Sequence, residues 1–168
     1  MIRIYLRNIV RFIVLIFVQI LIFENIQLGG NISPYIYVLF IILMPFEITG
    51  WALLIIAFLL GLSMDIFLMN PGFHTAATVL MAYFRPFILQ TFAPRDGYES
   101  GSFPRVYYYG LGWFAKYSII LIFVHHLFLF SLEMFRLSDI LHILWRTILN
   151  TLISTFLVIL SQFFVFRK

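Results

Sequence analysis

Residues 50–87 read GWALLIIAFLLGLSMDIFLMNPGFHTAATVLMAYFRPF, two long apolar runs joined by a tight polar turn. Each run carries one ionisable residue, Asp65 and Arg85, where the pattern predicts membrane. A charge in hydrocarbon is expensive unless it faces protein, water or a partner, so both are architectural or functional candidates. They mark the inside of a helix bundle.

Composition carries the same reading to the whole chain. Of 168 residues, 63% are hydrophobic, 20% aromatic and only 11% charged, with a mean hydropathy of +1.04. Soluble domains run near half apolar and a quarter charged. A spanning helix takes roughly 20 residues, so the chain has room for about six spans and no separate soluble domain. It reads as one all-α transmembrane domain, residues 1–168. The net charge of +4 comes from eleven Lys and Arg scattered at the ends of apolar runs, which is the positive-inside pattern rather than a nucleic-acid footprint. No cysteine is present, which excludes a disulfide framework, a thiol nucleophile and a thiolate metal site. Arg3, Arg7 and Arg11 precede an apolar run as in a signal peptide, but no small-x-small cleavage site follows, so an uncleaved first helix is expected.

Six spans are expected, at about 8–28, 34–48, 50–69, 74–91, 113–132 and 140–166. The first carries Gln19 within it and Glu24 and Asn25 at its far end, before Gly29, Gly30 and Asn31 break it. The second is bounded by Pro34 and Pro45 and holds about ten continuous apolar residues, roughly half a membrane at 1.5 Å per residue. It is either a short, protein-surrounded helix extended through Glu47 or a re-entrant segment; the charge pattern favours the short span. In the third, Ala57 and Gly61 stand at small-xxx-small spacing that admits a neighbouring backbone. Asn70, Pro71 and Gly72 make the turn. The fourth reaches Arg85-Pro86, where the missing amide kinks or ends it. Residues 92–112 form a cytoplasmic loop, with glycines and prolines denying it regular structure.

With six spans both termini share a side, which collects nine of the eleven basic residues and is therefore cytoplasmic. Trp51, Tyr107 to Tyr109 and Trp113 then fall at the inner interface, and Tyr35 and Tyr37 at the outer one. Depth counting places Asp65 level with Arg146, and Arg85 level with Glu47. The expected pairs are Asp65 with Arg146, and Arg85 with Glu47 or loop carbonyls. His142, Arg146, Asn150 and Ser154 recur every four residues and share one face of the sixth span. That row lines a bundle interior, a cavity or a partner interface, and internal hydrogen bonding is the plainer reading. His125 and His126 point about 100° apart, with no carboxylate within a turn, so they do not suggest a metal or relay site.

Catalytic signatures are absent: no GxSxG, no HExxH and no glycine-rich phosphate cradle. Ser63 and Ser154 show no positioned histidine, and Glu24 and Asp65 alone do not make a dyad. No enzyme, cofactor or metal is expected.

Gly61-x-x-x-Asp65, then Pro71-Gly72-Phe73-His74, then an alanine-rich helix ending Ala82-Tyr83-x-Arg85-Pro86, resembles MreD, the rod shape-determining membrane protein family. Gln19, the Glu24-Asn25 pair, the Pro34-bounded second span and the chain length are similar too. The longer Gly/Pro-rich loop at 92–112 and the high Phe and Tyr content depart from commoner members. The resemblance implies a non-catalytic component of the bacterial elongation and peptidoglycan synthesis machinery, in the inner membrane. Its partners would be MreC, with RodA, a class B penicillin-binding transpeptidase and MreB as neighbours. It also implies a fold similar to the vitamin-binding subunits of energy-coupling-factor transporters, six helices around a cavity, with Asp65 and the 70–74 turn shaping an outward-facing pocket. The competing class is a carrier, a small-molecule binding subunit of a membrane transporter. Against it, residues 8 to 28 contain no alanine or glycine for a coupling surface, and the outer loops are short for a solute lid.

Overall fold

A computed structural model describes residues 2–24, 32–134 and 139–165. Asn25, the Gly29-Gly30-Asn31 break, Arg136, Arg167 and Lys168 lie outside them. The described chain is all helix and connection: α1 (Ile2–Val18), α2 (Leu39–Ile42), α3 (Gly50–Leu68), α4 (Phe73–Thr91), α5 (Val106–Met134) and α6 (Ile140–Val165). Three of these, over Gly50–Leu68, Val106–Met134 and Ile140–Phe164, are long and apolar enough to cross a membrane. Their exposed faces carry Ile55, Phe58, Ile66, Leu152 and Phe156, the surface of a membrane protein rather than a soluble one.

Successive helices pack as neighbours, α3 on α4, α4 on α5 and α5 on α6, while α1 rests on α2 and α3. The α3–α4 hairpin is the tightest, and Gly61 is the reason. A Cβ on Gly61 would lie 2.4 Å from the Thr75 Cα and 2.7 Å from the His74 carbonyl oxygen. Only glycine lets the two backbones approach this closely. The turn between them uses Met69 and Gly72 in left-handed conformation, at φ 55° and 105°. Met69 is almost wholly exposed. Pro86 does not end α4, which continues to Thr91.

The second run corrects the expectation of a helical span extended through Glu47. Only Leu39–Ile42 are α-helical; residues 33–36 are non-helical and 43–49 are turn and connection. Residues 34–44 are all buried. They fill the middle of the bundle, gripped by α1, α4, α5 and α6. A four-residue helix leaves most of its backbone groups without intrahelical partners, so the surrounding helices must supply polar side chains at defined places.

Within the expected loop, residues 106–109 form a helical turn that Gly110 (φ 80°, ψ 165°) separates from the long part of α5. Tyr98 stacks on Phe46 at 4.1 Å and Trp113 on Tyr117 at 5.1 Å. Trp113 donates to the Phe92 carbonyl at 2.8 Å. Partial burial pushes the Tyr98 hydroxyl up to about 12, so it keeps its proton and donates to the Leu89 carbonyl at 2.6 Å. This aromatic latch closes that end of the bundle.

Candidate functional site

Gln19, Asp65, Arg85, Asn150 and Ser154 bond to residues 33–45 and to helix ends, whereas the buried Ser118, Thr147, Thr151, Thr155 and Gln162 side chains meet no partner among the described residues. Gln19 comes first. The helix widens into a π turn over Gln19–Phe23, a feature frequent where a side chain must be re-aimed. The buried Gln19 amide donates to the Pro34 carbonyl at 3.1 Å and accepts from the Ile36 and Tyr37 amides at 2.7 and 3.4 Å. One side chain thereby replaces the partners that non-helical backbone lacks. Asn150 Oδ1 accepts from the Ser33 amide at 2.6 Å and Ser154 Oγ from the Tyr35 amide at 3.0 Å. Glu24 is exposed at the end of the π turn.

Asp65 does not meet Arg146. Its Oδ1 accepts from the His74 amide at 3.0 Å, and its Oδ2 from the Thr75 amide and hydroxyl at 2.8 and 2.5 Å. His74 and Thr75 are the second and third residues of α4, whose N-cap, Gly72, has no side chain to offer. Asp65 therefore caps α4 from the neighbouring helix, at the end where the dipole favours a negative charge. Arg146 instead pairs with Glu133 at 2.9 Å, partly exposed, and lies 4.2 Å over the Phe130 ring. Counting depth matched opposite charges and overlooked that a helix end is itself a partial charge. The missing signal was legible: a helix opening Pro-Gly-Phe needs an acceptor from elsewhere.

Arg85 takes the carbonyl option. Its guanidinium donates to the Met44 carbonyl and, at 3.4 Å, to the Pro45 carbonyl, and its Nε donates to the Tyr117 hydroxyl at 2.9 Å. Tyr117 in turn donates to the Ile42 carbonyl at 3.0 Å. Arg85, 2% exposed, thus collects the carbonyls left over where α2 ends. Glu47 is elsewhere, accepting from Ser100 Oγ at 3.1 Å and the Gly101 amide at 2.8 Å.

Tyr35 and Tyr37 are not at an interface. Both are buried, and the Tyr37 hydroxyl lies 2.7 Å from His125 Nε2, 3.1 Å from His74 Nδ1 and 3.2 Å from Thr78 Oγ1. A phenol has one proton and two lone pairs, which three neighbours use completely. The Tyr35 ring packs against His74, His125 and His126. His126 Nδ1 is 2.7 Å from the Ile122 carbonyl, which can only accept, so that nitrogen carries the proton. Its Nε2 lies 3.4 Å from Ser154 Oγ. Ser154 therefore does have a histidine beside it, a neighbour the sequence could not show; both are fully buried, so no substrate reaches the pair. His142, by contrast, is exposed and leaves the row. The polar face of α6 begins at Arg146.

Sequence reasoning thus named Gln19, His74, Arg85, Asn150 and Ser154 but missed their common object, the segment at 33–45; Gly61, Asp65, Pro71 and Gly72 build the α3–α4 hairpin instead. Beside the 70–74 turn, where the resemblance implies a pocket, the His74 ring packs on Tyr35 and its Nδ1 lies 3.1 Å from the Tyr37 hydroxyl. Among the described residues no three His, Asp or Glu converge to hold a metal. The Tyr37 cluster and the Arg85 cluster lie roughly 10 Å apart along α4, from Thr78 to Arg85, with the fully buried Met81 on the helix between them. No protein-family model, no curated protein and no solved structure matches this chain.

Proposed function

We propose that the protein is a non-catalytic membrane component of the bacterial elongation machinery, an MreD-like body that docks MreC beside RodA, a class B penicillin-binding transpeptidase and MreB. One observation carries the reading. The residues of the MreD-like pattern act on one another and on the core segment: Gly61 lies against Thr75, Asp65 caps α4 at His74 and Thr75, and Arg85 holds the Met44 and Pro45 carbonyls. The pattern is thus a folding unit, and its buried polar groups Asp65 and Arg85 serve the fold. What remains for function is the apolar exterior, where Trp145, Leu152 and Phe163 on α6 stand exposed. Such a surface suits a partner helix.

The carrier reading stands second, because residues 34–44 occupy the centre a solute would need. Depletion is expected to round rod-shaped cells, and affinity purification is expected to recover the bitopic partner. Normal rods after clean deletion, with lost uptake of one vitamin, would overturn the proposal in favour of the carrier.

A further inference from the structure

A cleft of about 680 Å³ lies between α1 and α3, with the end of the core segment as its back wall. Small-molecule sites run from about 300 to 1,000 Å³. Its sides are apolar: Ile9 and Phe12 on α1, and Ala52, Ile56 and Leu59 on α3, which share one helical face. Outside the cleft the same two helices expose Val10, Ile13, Ile55 and Phe58. The cleft therefore opens sideways onto the surface that meets hydrocarbon, and its occupant arrives from the bilayer.

Its polar side chains are Asn8 and Glu47, and among the described residues no lysine or arginine lines it. Glu47 is exposed, and its Oε1 is held by Ser100 and Gly101. Its Oε2 accepts no hydrogen bond among the described residues. An acidic group at the mouth of an apolar cleft repels anionic headgroups and attracts a cation.

We propose that this cleft is a resident-lipid site for a phospholipid with a primary-amine headgroup, of the phosphatidylethanolamine class. One acyl chain lies along Ile9, Phe12 and Ile56, the ammonium donates to Glu47, and the Asn8 carboxamide faces the phosphate. Lipid tails gain nothing by leaving other lipid tails, so the headgroup carries the selectivity. A trimethylammonium headgroup keeps the charge but has no N–H to donate, and an anionic headgroup meets Glu47 with the wrong sign.

The test uses the full chain in nanodiscs of equal phosphatidylethanolamine, phosphatidylglycerol and phosphatidylcholine, released gently into detergent and weighed by native mass spectrometry. One phosphatidylethanolamine per chain is expected, in about tenfold excess over the other two, as one charge-assisted hydrogen bond warrants. Glu47→Gln keeps an oxygen for Ser100 and Gly101, so its melting is expected to be unchanged while the excess falls to parity. Ala52→Trp fills the cleft and is expected to release the lipid. Equal retention of the three lipids by the wild type, preference for the anionic one, a lipid-free dimer, or an undiminished excess in Glu47→Gln would each overturn the proposal; Glu47→Gln decides alone should Ala52→Trp not fold.

Discussion

Asp65 and Arg85 are buried charges, each compensated without an opposite side-chain charge. Asp65 meets the amides that open α4, and Arg85 meets the carbonyls that follow α2. Breaking such an arrangement from one side strands the other polar groups in a low-dielectric interior. Asp65→Ala is expected to lower stability by about 2–4 kcal/mol, since it uncaps two amides and one hydroxyl at once. A double-mutant cycle settles the partner: Asp65 and Arg146 are expected to show no coupling within about 0.5 kcal/mol, whereas Glu133 and Arg146 couple measurably. Coupling above about 1 kcal/mol between Asp65 and Arg146 would restore the direct pair. Tyr37→Phe is expected to cost about 1–3 kcal/mol by leaving His74, Thr78 and His125 without their shared partner. Tyr83→Phe, half exposed on α4, is the control expected to change little. At this scale the important residues were legible because polar groups stand out in an apolar chain. Their partners were not, because they are mostly backbone atoms and carry no letter in a sequence.

Among elements, legibility tracked punctuation. The helical bounds expected at 50–69, 74–91 and 140–166 match α3, α4 and α6 within a residue or so, since Pro71-Gly72 and the polar stretch before Ile140 interrupt long apolar runs; of the three, α3 and α6 are long and apolar enough to cross a membrane. The fifth start, expected at 113, falls close to Gly110, where the long helix begins beyond a short helical turn over 106–109. Gly110 sits inside the element as a break rather than before it. The second run failed for a deeper reason. A short, wholly apolar stretch has no period, so nothing distinguishes a helix from buried irregular backbone. The only clue was indirect: Gln19, an uncharged polar residue within an apolar helix, implies backbone nearby that needs hydrogen bonds. Gln19→Leu removes an acceptor from Ile36 and Tyr37 and a donor from Pro34. It is expected to destabilise the fold by about 2–3 kcal/mol and to speed amide exchange at Ile36 and Tyr37 before that of α5. Gly61→Ala is expected to push α3 from α4 and cost about 1–3 kcal/mol or more as overpacking, read as a lowered melting temperature. An unchanged melting temperature would mean that the hairpin is looser than the 2.4 Å approach requires.

For the whole molecule, the body is closed at one end by the aromatic latch around Phe46, Tyr98 and Trp113, and filled by its own chain. Residues 34–44 are buried at the centre of the bundle, the place where the proposed scaffold differs from a carrier with a central solute site. The chain has no cysteine, so single cysteines can report on this without background. The decisive measurement places one cysteine at Val38 or Ile41, each fully buried, and treats membranes with a water-soluble maleimide. Positions 71 and 100, exposed in turns, serve as reactive controls. Val38→Cys and Ile41→Cys are expected to stay unmodified until the protein is denatured; rapid labelling of either in intact membranes would reveal a water-filled cavity where the structure has a packed core.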